Sequence, residues 1–140
     1  MEIITHTTKE TAELADKIAT KIKPGDVVLL YGDLGSGKTT FTRFLTSALG
    51  SSARVQSPTF VIERRYKTPK HVTIHHLDLY RLQNEEDVKE LGLEERLQDK
   101  DAILIVEWPE VAANLFPETA IKIYFEYVDE NSRKICTDFI

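Results

Sequence analysis

Asp26-Val27-Val28-Leu29-Leu30-Tyr31, running directly into Gly32-Asp33-Leu34-Gly35-Ser36-Gly37-Lys38-Thr39, decides how this chain folds. From Val27 the first segment is unbroken and apolar, as a strand buried on both faces of a parallel sheet reads. The second has the composition of a Walker A loop, whose backbone N–H groups turn inward and leave a nest free of Cβ atoms. Beyond it the period becomes helical. Phe41, Phe44, Leu45, Ala48 and Leu49 recur three and four apart, and Gly50 stands where a left-handed cap closes a helix. Strand, glycine loop and helix together aim a helix N-terminus, carrying roughly half an elementary charge, into the nest.

Such a nest takes a polyphosphate, so the expected ligand is a nucleoside triphosphate held by the backbone of Asp33, Leu34, Gly35, Ser36, Gly37 and Thr40. Lys38 adds a full charge between the β- and γ-phosphates. Thr39 offers a hydroxyl to a Mg²⁺ shell completed by water and phosphate oxygens.

With 140 residues, 41% of them hydrophobic, and no Pro- or Gly-rich interruption, residues 1–140 read as one compact domain. The net charge of −5 argues against a surface that holds nucleic acid, DNA included, by its own field. The longest apolar runs, about Val27 to Tyr31 and Ala102 to Val106, fall far short of the ~20 residues of a membrane helix. Met1-Glu2-Ile3-Ile4 lacks a signal-segment pattern, and Cys136 is the one cysteine, so a cytoplasmic protein without disulfides is expected. Cys136 itself reads as a small buried residue of a last strand.

Elsewhere the chain alternates strands and helices. Glu2 to Ile4 reads as an edge strand, and Thr7-Thr8-Lys9-Glu10 as a capping box opening a helix that buries Ala15, Ile18, Ala19 and Ile22. Phe60 to Tyr66 and Val72 to Leu79, joined through Thr68-Pro69-Lys70, predict an antiparallel hairpin. Glu85 to Leu97 reads as helix with a break near Gly92, and Ala102 to Val106 as a fully apolar strand. Ala120 to Tyr127 and Arg133 to Ile140 form a last hairpin about Asp129-Glu130-Asn131-Ser132. The fold class is therefore α/β: a mixed, mostly parallel central sheet flanked by helices, with antiparallel hairpins.

Hydrolysis needs carboxylates near the phosphates. Asp78 and Glu107 each close a strand, where ligands gather in open α/β sheets. Topology leaves open which of them meets the metal, because Asp78 lies on a strand expected to be antiparallel. Asp78 also reads as an ion-pair residue beside Arg81, Glu107 as a surface carboxylate, and Trp108 as either a site wall or a buried anchor. His75 and His76 point to opposite faces of their strand, with no third ligand at zinc spacing. Ser57-Pro58-Thr59-Phe60 sits where switch segments feel the γ-phosphate, within reach for Thr59. Arg64, Arg65, Lys67 and Lys70 form a modest basic cluster, which as a rule is a solvated face.

Four stretches in order, Gly32 to Phe41, Ser57-Pro58-Thr59-Phe60, His76-Leu77-Asp78-Leu79-Tyr80-Arg81 and Glu107-Trp108-Pro109-Glu110, resemble the TsaE family, also called YjeE. The resemblance runs from about Thr8 to Glu110. It implies a bacterial P-loop ATPase that uses ATP and Mg²⁺ and assists N6-threonylcarbamoyladenosine synthesis in tRNA, docked on the partners TsaD and TsaB. The tRNA is reached through that complex. By carry-over, Lys38 and Thr39 hold phosphate and Mg²⁺, Asp78 resembles a second metal-side carboxylate, Glu107 a catalytic group acting on water, Thr59 a switch residue, and Trp108 a wall beside the nucleotide. A small P-loop kinase of a metabolite or nucleoside is the alternative, although no arginine-rich lid is found. A GTPase would need an Asn-Lys-x-Asp stretch, which is absent.

Overall fold

The computed structural model describes residues 1–52 and 63–139. Its strands are β1 (Glu2–Thr5), β2 (Val27–Tyr31), β3 (Glu63–Lys67), β4 (Thr73–Asp78), β5 (Ala102–Glu107), β6 (Ile121–Tyr127) and β7 (Arg133–Thr137). The helices are α1 (Thr8–Ala19), α2 (Lys38–Ala48), α3 (Glu85–Glu90) and α4 (Leu93–Gln98), and a 3₁₀ segment follows at Pro109–Leu115. All seven strands join one sheet in the order β1-β7-β6-β2-β5-β4-β3.

The middle four strands, β6, β2, β5 and β4, run parallel, and antiparallel neighbours close both edges. This is the mixed α/β sheet expected from the sequence. β4 refines the expectation: it is antiparallel to β3 but parallel to β5, so its C-terminal end lies with those of β2 and β5. Asp78 is thereby in register with Glu107.

Two cores cover the parallel strands. On one face Leu14 and Ile18 of α1 and Phe41 and Leu45 of α2 pack on Val28, Leu30, Ile74, Ile105 and Ile123. On the other, Val88, Leu93, Ala112 and Phe116 cover Val27, Leu29, Leu77, Leu104 and Val106. β5 is buried at every position, so its run of apolar residues needs no alternation.

Local signals account for the ends. Thr7 caps α1 by accepting from the Glu10 amide at 3.1 Å, and the Glu10 carboxylate accepts from the His6 amide at 2.6 Å, one residue earlier than a strict capping box. Gly92, in the left-handed region, separates α3 from α4 where the helix break was read. Cys136 departs from the reading. It is only partly buried, and its Sγ lies 3.8 Å from a Glu2 carboxylate oxygen. The cause is topological: Cys136 pairs with Glu2 and Tyr124, which are both exposed.

Candidate functional site

Gly32, directly after β2, has φ of 149°, and a Cβ there would meet Ser36 Oγ at 2.6 Å and the Phe125 carbonyl at 2.7 Å. No larger residue fits this crossing of loop and β6. The turn is closed by the Ser36 amide donating to the Asp33 carbonyl at 3.1 Å, while Leu34 projects 68% exposed at the crown. Gly37 then caps α2 with φ of 105°. Any L residue is strained there, and achiral glycine is not.

Lys38 is 5% exposed, and its ammonium donates to the Gly32 carbonyl and lies 4.0 Å from the Trp108 ring centroid. Burial holds its pKa below the usual lysine range against the opposing pull of Glu107, Glu110, Asp78 and Asp33. Trp108 reaches that place from a left-handed backbone, φ 59°, and its ring stands 5.0 Å from that of Tyr80. The loop's one lysine is thus already aimed across its mouth.

Thr39 donates toward Glu107, 3.2 and 3.4 Å from its two carboxylate oxygens. Glu107 is 3% exposed, and His76 Nε2 lies 2.6 Å from its Oε2. Asp78 stands beside it on β4 with Oδ1 accepting the Tyr80 amide at 3.0 Å. Burial raises the Asp78 pKa, the Tyr80 amide opposes that, and the Glu107 charge adds to it. Two carboxylates and a threonine hydroxyl therefore converge at the ends of adjacent parallel strands, beside the first turn of α2.

Among the described residues no three His, Cys, Asp or Glu side chains gather to hold a metal unaided. The donor set nonetheless suits Mg²⁺, a hard cation that keeps waters and takes one or two carboxylates plus phosphate oxygens. Thr39 and Asp78 would hold it, with the Glu107 carboxylate beside them within reach of its waters.

The structure therefore brings together Lys38, Thr39, Asp78, Glu107 and Trp108, with Ser36, Gly37 and Thr40 lining the loop; Thr59 lies outside the described residues. The sequence did not single out His76 from His75 as the partner of Glu107, and it gave no sign of the cleft on the far side of the loop. That cleft, about 360 Å³, runs from Gly37 and Thr40 to Thr11 of α1 and its cap Thr7, and to Phe125 and Arg133 of the last hairpin. No local pattern marks it, because three distant segments meet there. A larger groove, about 940 Å³, lies by Tyr124 and Cys136 away from the loop, where Glu2, Asp26, Glu118 and Asp138 would repel a polyphosphate.

The family described as "Threonylcarbamoyl adenosine biosynthesis protein TsaE" matches residues 5–135. A tRNA threonylcarbamoyladenosine biosynthesis protein TsaE from Rickettsia felis is 41% identical over 132 residues, 94% of this chain and 75% of the relative. Its namesake from Bacillus subtilis is 35% identical over 127 residues, covering 91% and 78%. The crystal structure of Bacillus subtilis YdiB superposes with a TM-score of 0.80 at 30% identity, covering 98% of this chain and 83% of that one.

Proposed function

Since this chain belongs to the TsaE family of tRNA threonylcarbamoyladenosine biosynthesis, we propose that it is a Mg²⁺-dependent ATPase whose hydrolysis serves a TsaB–TsaD complex. One observation carries the reading: a threonine hydroxyl and a buried glutamate meet at 3.2 Å beside the lysine of a phosphate loop. The triphosphate lies along the loop amides, with Lys38 swung from the Gly32 carbonyl onto the β- and γ-phosphates. Bound Mg²⁺ supplies charge neutralisation at the terminal phosphate oxygens.

Glu107 does the proton work. His76 holds one of its oxygens, and the other, which Thr39 would free on ligating Mg²⁺, would accept a proton from attacking water. Water adds to the γ-phosphorus, the bond to the β,γ-bridging oxygen breaks, and ADP and phosphate leave. Asp78 is the carboxylate on the metal side, and Trp108 walls the phosphate side. Thr59 has the role of a switch residue. tRNA is reached through the partners, in keeping with the net charge of −5, and the protein works in the cytoplasm.

Calorimetry of ATP with Mg²⁺ on the purified chain tests the site, together with phosphate release with and without TsaB and TsaD. ATP binds, Lys38→Ala weakens it by about a hundredfold, and phosphate appears with no acceptor present. Absence of binding even alongside the partners overturns the reading. Phosphate transfer only to an added metabolite replaces it with a kinase.

A further inference from the structure

Arg133, the first residue of β7, lies against the phosphate loop on the side away from Glu107. A Cβ on Gly37 would sit 3.6 Å from its Nε and 3.7 Å from its Cγ, so the arginine stem rests on the residue that caps α2. The guanidinium is fixed. Nη1 donates to the Asp129 carbonyl at 2.6 Å and the Ser132 carbonyl at 2.9 Å, and Cζ stacks 4.7 Å from the Tyr127 ring centroid. Asp129 in turn pins the hairpin by accepting the Asn131 and Ser132 amides at 2.9 and 2.8 Å.

What this fork lacks is an anion. Nε is shielded from solvent and has no hydrogen-bond partner, and Arg133 makes no ion pair among the described residues. Arg96 shows the contrast, because its Nε, Nη1 and Nη2 are all engaged. A shielded, unpaired guanidinium N–H costs stability unless something else uses it. Arg133 is among the residues lining the cleft that opens from Gly37 and Thr40.

We infer that Arg133 binds the α-phosphate of the nucleotide, as a second cation at the opposite end of the polyphosphate from Lys38. The inference rests on the nucleotide reading above. A polyphosphate seated on the loop with its terminal phosphate toward Glu107 must send its nucleoside end the other way, past Gly37 and into the cleft. The first phosphate then passes the arginine, whose planar fork suits a phosphate oxygen pair better than a point charge does. The hairpin has already ordered the side chain, so little rotamer freedom remains to be lost on binding.

The test compares dissociation constants for ATP, ADP and adenosine in the unmodified protein, Arg133→Ala and Arg133→Lys. Arg133→Ala weakens ATP and ADP by the same factor, about tenfold or more, leaves adenosine unchanged, and flattens the salt dependence of ATP binding. Arg133→Lys recovers part of the loss. A second measurement needs no folded variant: the Nε–H resonance of Arg133 in the unmodified protein shifts on saturation with ADP. Affinities within twofold in Arg133→Ala, or an Nε–H signal that stays put while ADP is bound, overturn the role of the arginine and leave the ATP site standing. No ATP binding by the unmodified protein overturns both.

Discussion

His75 and His76 are consecutive on β4 and face opposite sides of the sheet, each toward a glutamate, yet their surroundings differ in one respect. On the α3 and α4 side Glu63 is saturated: Arg96 reaches it through Nε and, at 2.8 Å, Nη2, Arg65 adds a bond at 3.3 Å, and His75 Nδ1 stands 3.4 Å away. On the α2 side Glu107, though more deeply buried, has His76 and a threonine hydroxyl and no guanidinium. The first arrangement ties β3 to α4. The second leaves a buried carboxylate with no guanidinium on it, facing only the Lys38 charge, which is the difference expected if Glu107 has the role proposed for it and Glu63 is a structural ion pair.

The sharpest break in that comparison is to neutralise each glutamate in turn. Glu107→Gln keeps the size and lowers the rate of phosphate release by at least about a hundredfold, or about 2.7 kcal/mol of barrier, with ATP affinity changed less than threefold. Glu63→Gln leaves the rate within twofold. Equal losses in both variants would mean that the two carboxylates do the same work.

Stability reverses the order. Arg96→Ala strips Glu63 of its main partner and frees the Leu91 and Gly92 carbonyls that the same guanidinium holds at 2.5 and 3.0 Å. Urea unfolding loses about 2 kcal/mol, with ATP binding intact. A loss of ATP binding in the folded variant would show that the α4 side is no mere scaffold.

How much of this contrast was legible in the sequence depends on whether the signal was local. The turn from β2 through the glycines into α2, the buried strands and the helix break at Gly92 are set by neighbouring residues, and the structure has them where local pattern placed them. Glu107 and Asp78 could be marked as strand ends, but their pairing needed the parallel register of β4 with β5, which the hairpin signal to β3 concealed. His76 and Glu107 are 31 residues apart, and Gly37 and Arg133 meet only because β7 is brought beside the loop by the sheet, so no periodicity reports either contact. Cys136 was misread because strand alternation does not say which face lacks a helix.

A smaller effect comes from removing the histidine on the active side. His76→Ala lowers kcat about tenfold, or about 1.4 kcal/mol, with little change in KM, because Glu107 loses its orienting donor while the phosphate loop is untouched. His76→Gln, which can present a side-chain N–H to the same carboxylate, restores most of the rate. If the alanine variant kept full kcat, His76 would have no part in orienting Glu107.

The smallest effect appears in acid, on the Glu63 side of the sheet. Burial chiefly lowers the His75 pKa, and the charges of Arg65 and Arg96 reinforce this against the pull of Glu63. For Glu63 burial pushes upward, but the Arg96 hydrogen bond and charge, with Arg65 and His75, outweigh it and the net shift is downward. Both groups thus bind protons less readily folded than unfolded, so both lend stability at high pH that disappears on acidification. The sign fixes two windows: the His75 share is whole above about pH 6.5 and fades as pH falls through its lower folded value, while the Glu63 share is whole above about pH 4.3 and fades below. Urea midpoints measured from pH 7.5 to 3.5 fall in two steps. His75→Asn flattens the upper step and Glu63→Gln the lower, and an upper step that survived His75→Asn would have to come from another of the four histidines.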